Sequence, residues 1–190
     1  MVVSFLLLAV LGSPEAFVEQ LRKDGAVGVR VERVQLDSDV ELEALVRFER
    51  EGAGAFAVVL DARGGEWREA GRFNTWWNFV KTDGERLVEL RETVDVGVQD
   101  LVVRTRSGGT EDSRTVLEIW RMREGRMAPV LTVTEQETAM EHPSGDVYST
   151  AARLAFGLGR VTVESVRQPG DKRTRAAYVW DTARFRFNAE

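Results

Sequence analysis

The sequence predicts an all-β domain, an antiparallel meander of about three four-stranded units led by one helix. Apolar and charged residues alternate with a period of two through most of residues 26–188, the pattern of half-buried strands. Short polar corners such as Arg63-Gly64-Gly65 and Glu124-Gly125 separate these runs, as hairpin turns do. A helical period occurs once, in residues 13–25.

That helix reads "SPEAFVEQLRKDG". Ser13 suits the N-cap, Pro14 the first helical position and Glu15 the positive end of the helix dipole. Ala16, Phe17 and Leu21 share a face, Arg22 and Lys23 fall in the last turn, and Gly25 ends it. Before it stands "MVVSFLLLAVLG". Residues 1–12 are either a signal sequence, although no basic residue precedes the apolar run, or a buried first strand. The first reading places the protein in the periplasm or outside the cell, the second in the cytoplasm.

The strands follow in order. "AVGVRVERVQL" alternates Val27, Val29 and Val31, and "DVELEALVRFE" alternates Val40, Leu42, Ala44, Val46 and Phe48. "GAFAVVLDARGGEWREAGRF" is a hairpin around Gly64-Gly65. The grammar returns near 86–134, with a turn at Glu124-Gly125, and near 149–188, with a turn near Asp181-Thr182. Units near 26–73, 86–134 and 149–188 of four strands each fit a partial propeller-like stack or a β-sandwich, forming a single domain over 26–190.

Composition excludes several chemistries. With 26 basic and 31 acidic residues the net charge is −5, and nucleic acid is not an expected partner because a duplex binder carries a basic stripe. The chain has no cysteine, so disulfides, thiol catalysis and thiolate metal sites are absent. No run is long enough for a transmembrane helix. His142 is the only histidine and lies in "EHPSGD". His, Ser and Asp so close in sequence cannot form the relay of a triad, and Pro143-Ser144-Gly145 reads as a turn. "DSDVE" sets Asp37, Asp39 and Glu41 at alternate positions, but the sixth place of a calcium loop needs Gly and is Leu42 here. Asp95 and Asp100 around Gly97 also fall short of a ligand set. "RSGGTEDS" lacks the Lys-Ser or Lys-Thr of a phosphate loop. No metal site, cofactor or catalytic residue is expected.

The binding candidates come from "TWWNFVKTDG", between the first two units: Trp76, Trp77 and Phe79. Adjacent strand residues point to opposite faces, so Trp76 and Trp77 cannot fill one core. Either each indole buries in a different sheet, or they form a stacking platform for a sugar, a peptide or a partner's apolar side chain.

"VQDLVVRTRSGG" followed by "TVLEIWRMREGRMAPVLTV", and the ending "YVWDTARFRF", resemble bacterial exported β-repeat proteins of the FG-GAP, propeller-like kind. The resemblance implies an envelope or secreted binding module, with a protein or carbohydrate partner. It lacks the family's acidic calcium loop at Asp95 to Asp100. The expected function is a non-catalytic interaction module. The alternatives are a carboxylate-based hydrolase acting on a sugar or peptide, which needs a cleft with two carboxylates, and a structural β-repeat that works through edge strands.

Overall fold

The computed structural model describes residues 12–74, 88–108, 112–141 and 144–190. Among the described residues stand one helix, α1 (Pro14–Lys23), and twelve strands. They are β1 (Val27–Val34), β2 (Glu43–Arg50), β3 (Gly54–Arg63), β4 (Glu66–Asn74), β5 (Val88–Arg91), β6 (Asp100–Gly108), β7 (Ser113–Arg123), β8 (Arg126–Glu141), β9 (Asp146–Gly157), β10 (Arg160–Gln168), β11 (Lys172–Asp181) and β12 (Arg186–Ala189). Within each sheet every strand pairs with its sequence neighbour: β1 to β4 form one sheet and β5 to β12 the other. The pairings are antiparallel, so the protein is the all-β meander with a leading helix that the sequence predicts. The second and third units are continuous, because Gln136 to Glu141 at the end of β8 pair with β9.

Ser13 caps α1: its Oγ accepts from the Ala16 N–H at 3.2 Å. The buried stripe is Pro14, Val18 and Leu21 with Phe17 beside it, while Ala16 faces out. Spacings of three and four set this face, and Ala16 lies off it. The stripe covers Ala44, Val46, Phe48, Val58 and Leu60 on one face of the first sheet. The opposite face of that sheet, with Leu45, Ala57 and Val59, packs on Leu101, Val103, Met122 and Met127 of the second. Strands β2 and β3 are therefore covered on both sides, which explains their nearly unbroken apolar runs. The two sheets come so close that a Cβ on Gly71 of β4 would lie 2.9 Å from the Met127 Cβ.

Two sequence expectations change. Val27 and Val31 of β1 are 59% and 44% exposed, because β1 is an edge strand whose pairing slips between Val27 and Arg30. Val40 and Leu42 stand outside β2, in a loop. That bulge and the charged Arg30, Glu32 and Arg33 are devices that blunt an edge against further pairing.

The second sheet rolls up. The face of β6 to β8 turned away from the first sheet packs Val102, Leu117, Ile119, Leu131 and Val133 against Val161, Val163 and Phe187, with Trp180 at the margin. The connections β1–β2, β3–β4, β5–β6, β7–β8, β9–β10 and β11–β12 gather at one end. There the Gln99 N–H donates to the Gln35 carbonyl at 2.7 Å, the Gly159 N–H to that of Thr93 at 2.7 Å, and the Trp180 N–H to that of Gly159 at 2.9 Å.

Candidate functional site

This loop-bearing end holds two buried acidic centres and one open groove. The first centre grows from the β1–β2 loop. Asp37 Oδ1 accepts from the Asp39 N–H at 2.9 Å, and Asp39 Oδ1 from the Glu41 N–H at 2.8 Å. Gln35 Nε2 donates to the carbonyls of Asp37 and Asp39 at 2.7 and 2.8 Å. These local bonds compete with strand pairing, so the alternation expected of Asp37, Asp39 and Glu41 along an extended segment gives way to a folded loop. One carboxylate oxygen each from Asp37, Asp39 and Glu43 lie within 4.8 Å of one another.

Glu43 opens β2 and is fully buried. Its Oε2 accepts from the Leu36 N–H at 2.6 Å, while Oε1 has no hydrogen-bond partner. Ala44 pairs with Leu60, so one step further Glu43 stands across from Asp61, also buried. Asp61 Oδ2 pairs with Arg63 Nε at 2.9 Å, and Oδ1 has no partner. Burial pushes the Glu43 carboxyl up to about 7, against the pull of the Leu36 N–H, and the charges of Asp37 and Asp39 push it the same way. Burial also raises Asp61, which Arg63 draws down and Asp37 and Asp39 raise further. The β7–β8 turn closes over this pair. A Cβ on Gly125 would lie 2.6 Å from Asp61 Oδ2, and the φ of +76° there also favours glycine.

The second centre lies in the other sheet. Leu101 pairs with Trp120, which puts Asp100 across from Arg121, and both are buried. Arg121 Nη1 donates to the two Asp100 oxygens at 2.9 and 3.1 Å. Asp100 Oδ2 also accepts from the Thr93 hydroxyl at 2.5 Å and the Thr93 N–H at 3.3 Å. Arg121 Nη2 bonds to the half-exposed Asp95, and its guanidinium lies 5.5 Å from the Trp180 ring centre. Burial raises the Asp100 carboxyl, and Thr93 and Arg121 pull against it. Asp95 and Asp100, which the sequence set beside each other as an incomplete ligand set, thus converge on one arginine.

The groove opens on the helix side of the first sheet, lined by Arg33, Glu41, Leu42, Ala62, Gly65 and Trp67. The Arg33 guanidinium lies 4.6 Å from the Trp67 ring centre, and Leu42 in the groove wall is 44% exposed.

Trp76, Trp77 and Phe79 lie outside the described residues, as do His142 and Pro143. Ser144 and Gly145 form the turn expected of them. Sequence reasoning missed Glu43, Asp61, Trp67 and Arg121. The signal for the two acids was a lone charge inside an apolar run, "LEALV" and "VVLDA".

No protein-family model, no curated protein and no solved structure matches the chain. Among the described residues no helix is long and apolar enough to cross a membrane.

Proposed function

We propose that the protein is a non-catalytic binding module of the bacterial envelope, periplasmic or secreted, that takes a peptide or a carbohydrate at its loop-bearing end. The observation that carries this reading is the groove. It joins the Trp67 indole, over whose ring the Arg33 guanidinium lies, the exposed aliphatic Leu42, and the opposite charges of Arg33 and Glu41 within one open channel. An amphipathic platform of this kind suits a sugar ring or an extended peptide. The likeness to exported β-repeat proteins supports the compartment.

The hydrolase alternative draws on one observation, the facing carboxyls of Glu43 and Asp61 with Glu43 raised to about 7. Strand alternation puts them on the face of the first sheet opposite Trp67, and both are buried, so a substrate in the groove meets neither. The binding reading is tested by screening a glycan array and a displayed peptide library against the full chain. A ligand is expected whose affinity falls about tenfold or more in Trp67→Ala. Binding unchanged in Trp67→Ala but lost in the Trp76→Ala, Trp77→Ala pair would move the site to those indoles. No ligand from either screen would defeat the reading.

A further inference from the structure

We propose that the β1–β2 loop and the adjoining strand ends form a divalent-cation site, with Ca2+ the preferred ion, held by Asp37, Asp39 and Glu43 and flanked by Asp61. It does not rest on the proposed groove ligand, although Glu41 and Leu42 of the same loop line that groove, and it is contrary to the sequence expectation of no metal.

Clustered carboxylates alone are common on surfaces. Two further atoms distinguish this cluster. Glu43 Oε1 and Asp61 Oδ1 are buried and have no hydrogen-bond partner, although a buried carboxylate oxygen normally has one. Glu43 is itself a member of the cluster. Asp61 stands across from it on β3, one step beyond the Ala44–Leu60 pair. Three carboxyls thus converge beside a fourth, Asp61, whose Oδ2 is paired with the Arg63 guanidinium. A divalent ion would supply both the missing charge and the missing partner.

The choice of ion follows from the ligands. All are hard oxygen donors, which select Ca2+ or Mg2+ over softer metals. Oxygens within 4.8 Å of one another fit around an ion with bonds of about 2.3–2.6 Å. Mg2+ demands a tighter octahedron at about 2.0–2.1 Å. The ligands occupy the first, third and seventh places of Asp37 to Glu43. The glycine of an EF-hand is unnecessary here because the chain enters β2 at the seventh residue and makes no sharp turn at the sixth. Asp39 is exposed and Asp37 half-buried, which leaves the ion a way in.

The test is calorimetric titration of the full chain, stripped with chelator, by CaCl2 and separately by MgCl2. One Ca2+ per chain is expected, with a dissociation constant of about 1 mM or tighter and weaker Mg2+ binding. Asp39→Asn and Glu43→Gln should each weaken Ca2+ about tenfold or more. Glu164→Gln, on the outer face of β10, should not change it. Absence of a saturable heat up to about 10 mM Ca2+, from protein whose circular dichroism shows it folded, would overturn the proposal. So would wild-type affinity in Asp39→Asn, several weak ions per chain, or a preference for Mg2+. If Glu43→Gln does not fold, the exposed Asp39→Asn decides.

Discussion

Two cross-strand pairs occupy matching places in the two sheets, and they differ in one charge. In the second sheet Asp100 faces Arg121, one step beyond Leu101 and Trp120. In the first, Glu43 faces Asp61, one step beyond Ala44 and Leu60. Both pairs end at the loop-bearing rim, and all four side chains are buried. Asp100 is saturated: a guanidinium, a hydroxyl and a backbone N–H meet its two oxygens. Glu43 and Asp61 each leave one oxygen without a partner. A closed network at such a position fixes the β5–β6 loop to the roll and needs nothing more. An open one, with like charges opposed across a strand, is destabilising by itself and makes sense when a further ion completes it.

Breaking the closed pair should have the largest effect. Arg121→Met keeps a side chain of useful length but strands Asp100 in the interior. Losing one partner of a buried pair costs about 3–5 kcal/mol, and urea denaturation at neutral pH should show a loss of that size. A loss under about 1 kcal/mol would mean that Asp100 finds other partners and that the contrast between the sheets is false.

The open pair should respond to pH in the chelated protein. Glu43 titrates near 7 when folded, against 4.5 for an ordinary glutamate, so the folded state binds more protons between those values. This contribution is complete below about pH 4.5 and is lost as pH rises through 7, a fall of about 3 kcal/mol in all. Asp61 and Asp100, likewise raised by burial, act in the same direction, and Glu89, which burial raises but Arg91 and Arg104 lower on balance, acts in the other. The Glu43 share is therefore read as the difference between wild type and Glu43→Gln across pH 4–8. A difference that does not change with pH would remove Glu43 as the cause. At pH 8 the same substitution keeps an acceptor for the Leu36 N–H and discards a buried charge, so it should stabilise the chelated protein by about 2 kcal/mol. That is opposite in sign to Arg121→Met, and a destabilised Glu43→Gln would sink the idea that the first sheet carries uncompensated charge.

The contrast was only partly legible in the sequence. The period-two pattern exposes the strands, and the corners at Gly64-Gly65 and Glu124-Gly125 fall where the turns form, because those signals are local. Glu43 and Asp61 were hidden because alternation assigns one face to water. Strands β2 and β3 have no such face: α1 covers one side and the second sheet the other. A charge on the supposed wet side of "LEALV" is in fact interior. Arg121 escaped for the related reason that a rolled sheet turns its second face inward. The bends at Asp37 and Asp39 come from side-chain bonds to the backbone, which residue spacing does not display.

The smallest effect sharpens the reading of the closed pair. Arg121 touches two aspartates, and only Asp100 is buried; the Asp95 side chain is 59% exposed. Water screens an exposed partner and competes for it, so Asp95→Asn should cost about 0.5 kcal/mol. Arg121 keeps its contacts to both Asp100 oxygens and to the Trp180 ring in that variant. Combining Asp95→Asn with Arg121→Met in a double-mutant cycle should give a coupling energy of the same small size. A coupling of several kcal/mol would show that Asp95 is the arginine's true counter-ion. Asp100 would then be held mainly by Thr93, and the saturated network would rest on the loop instead of on the facing strand.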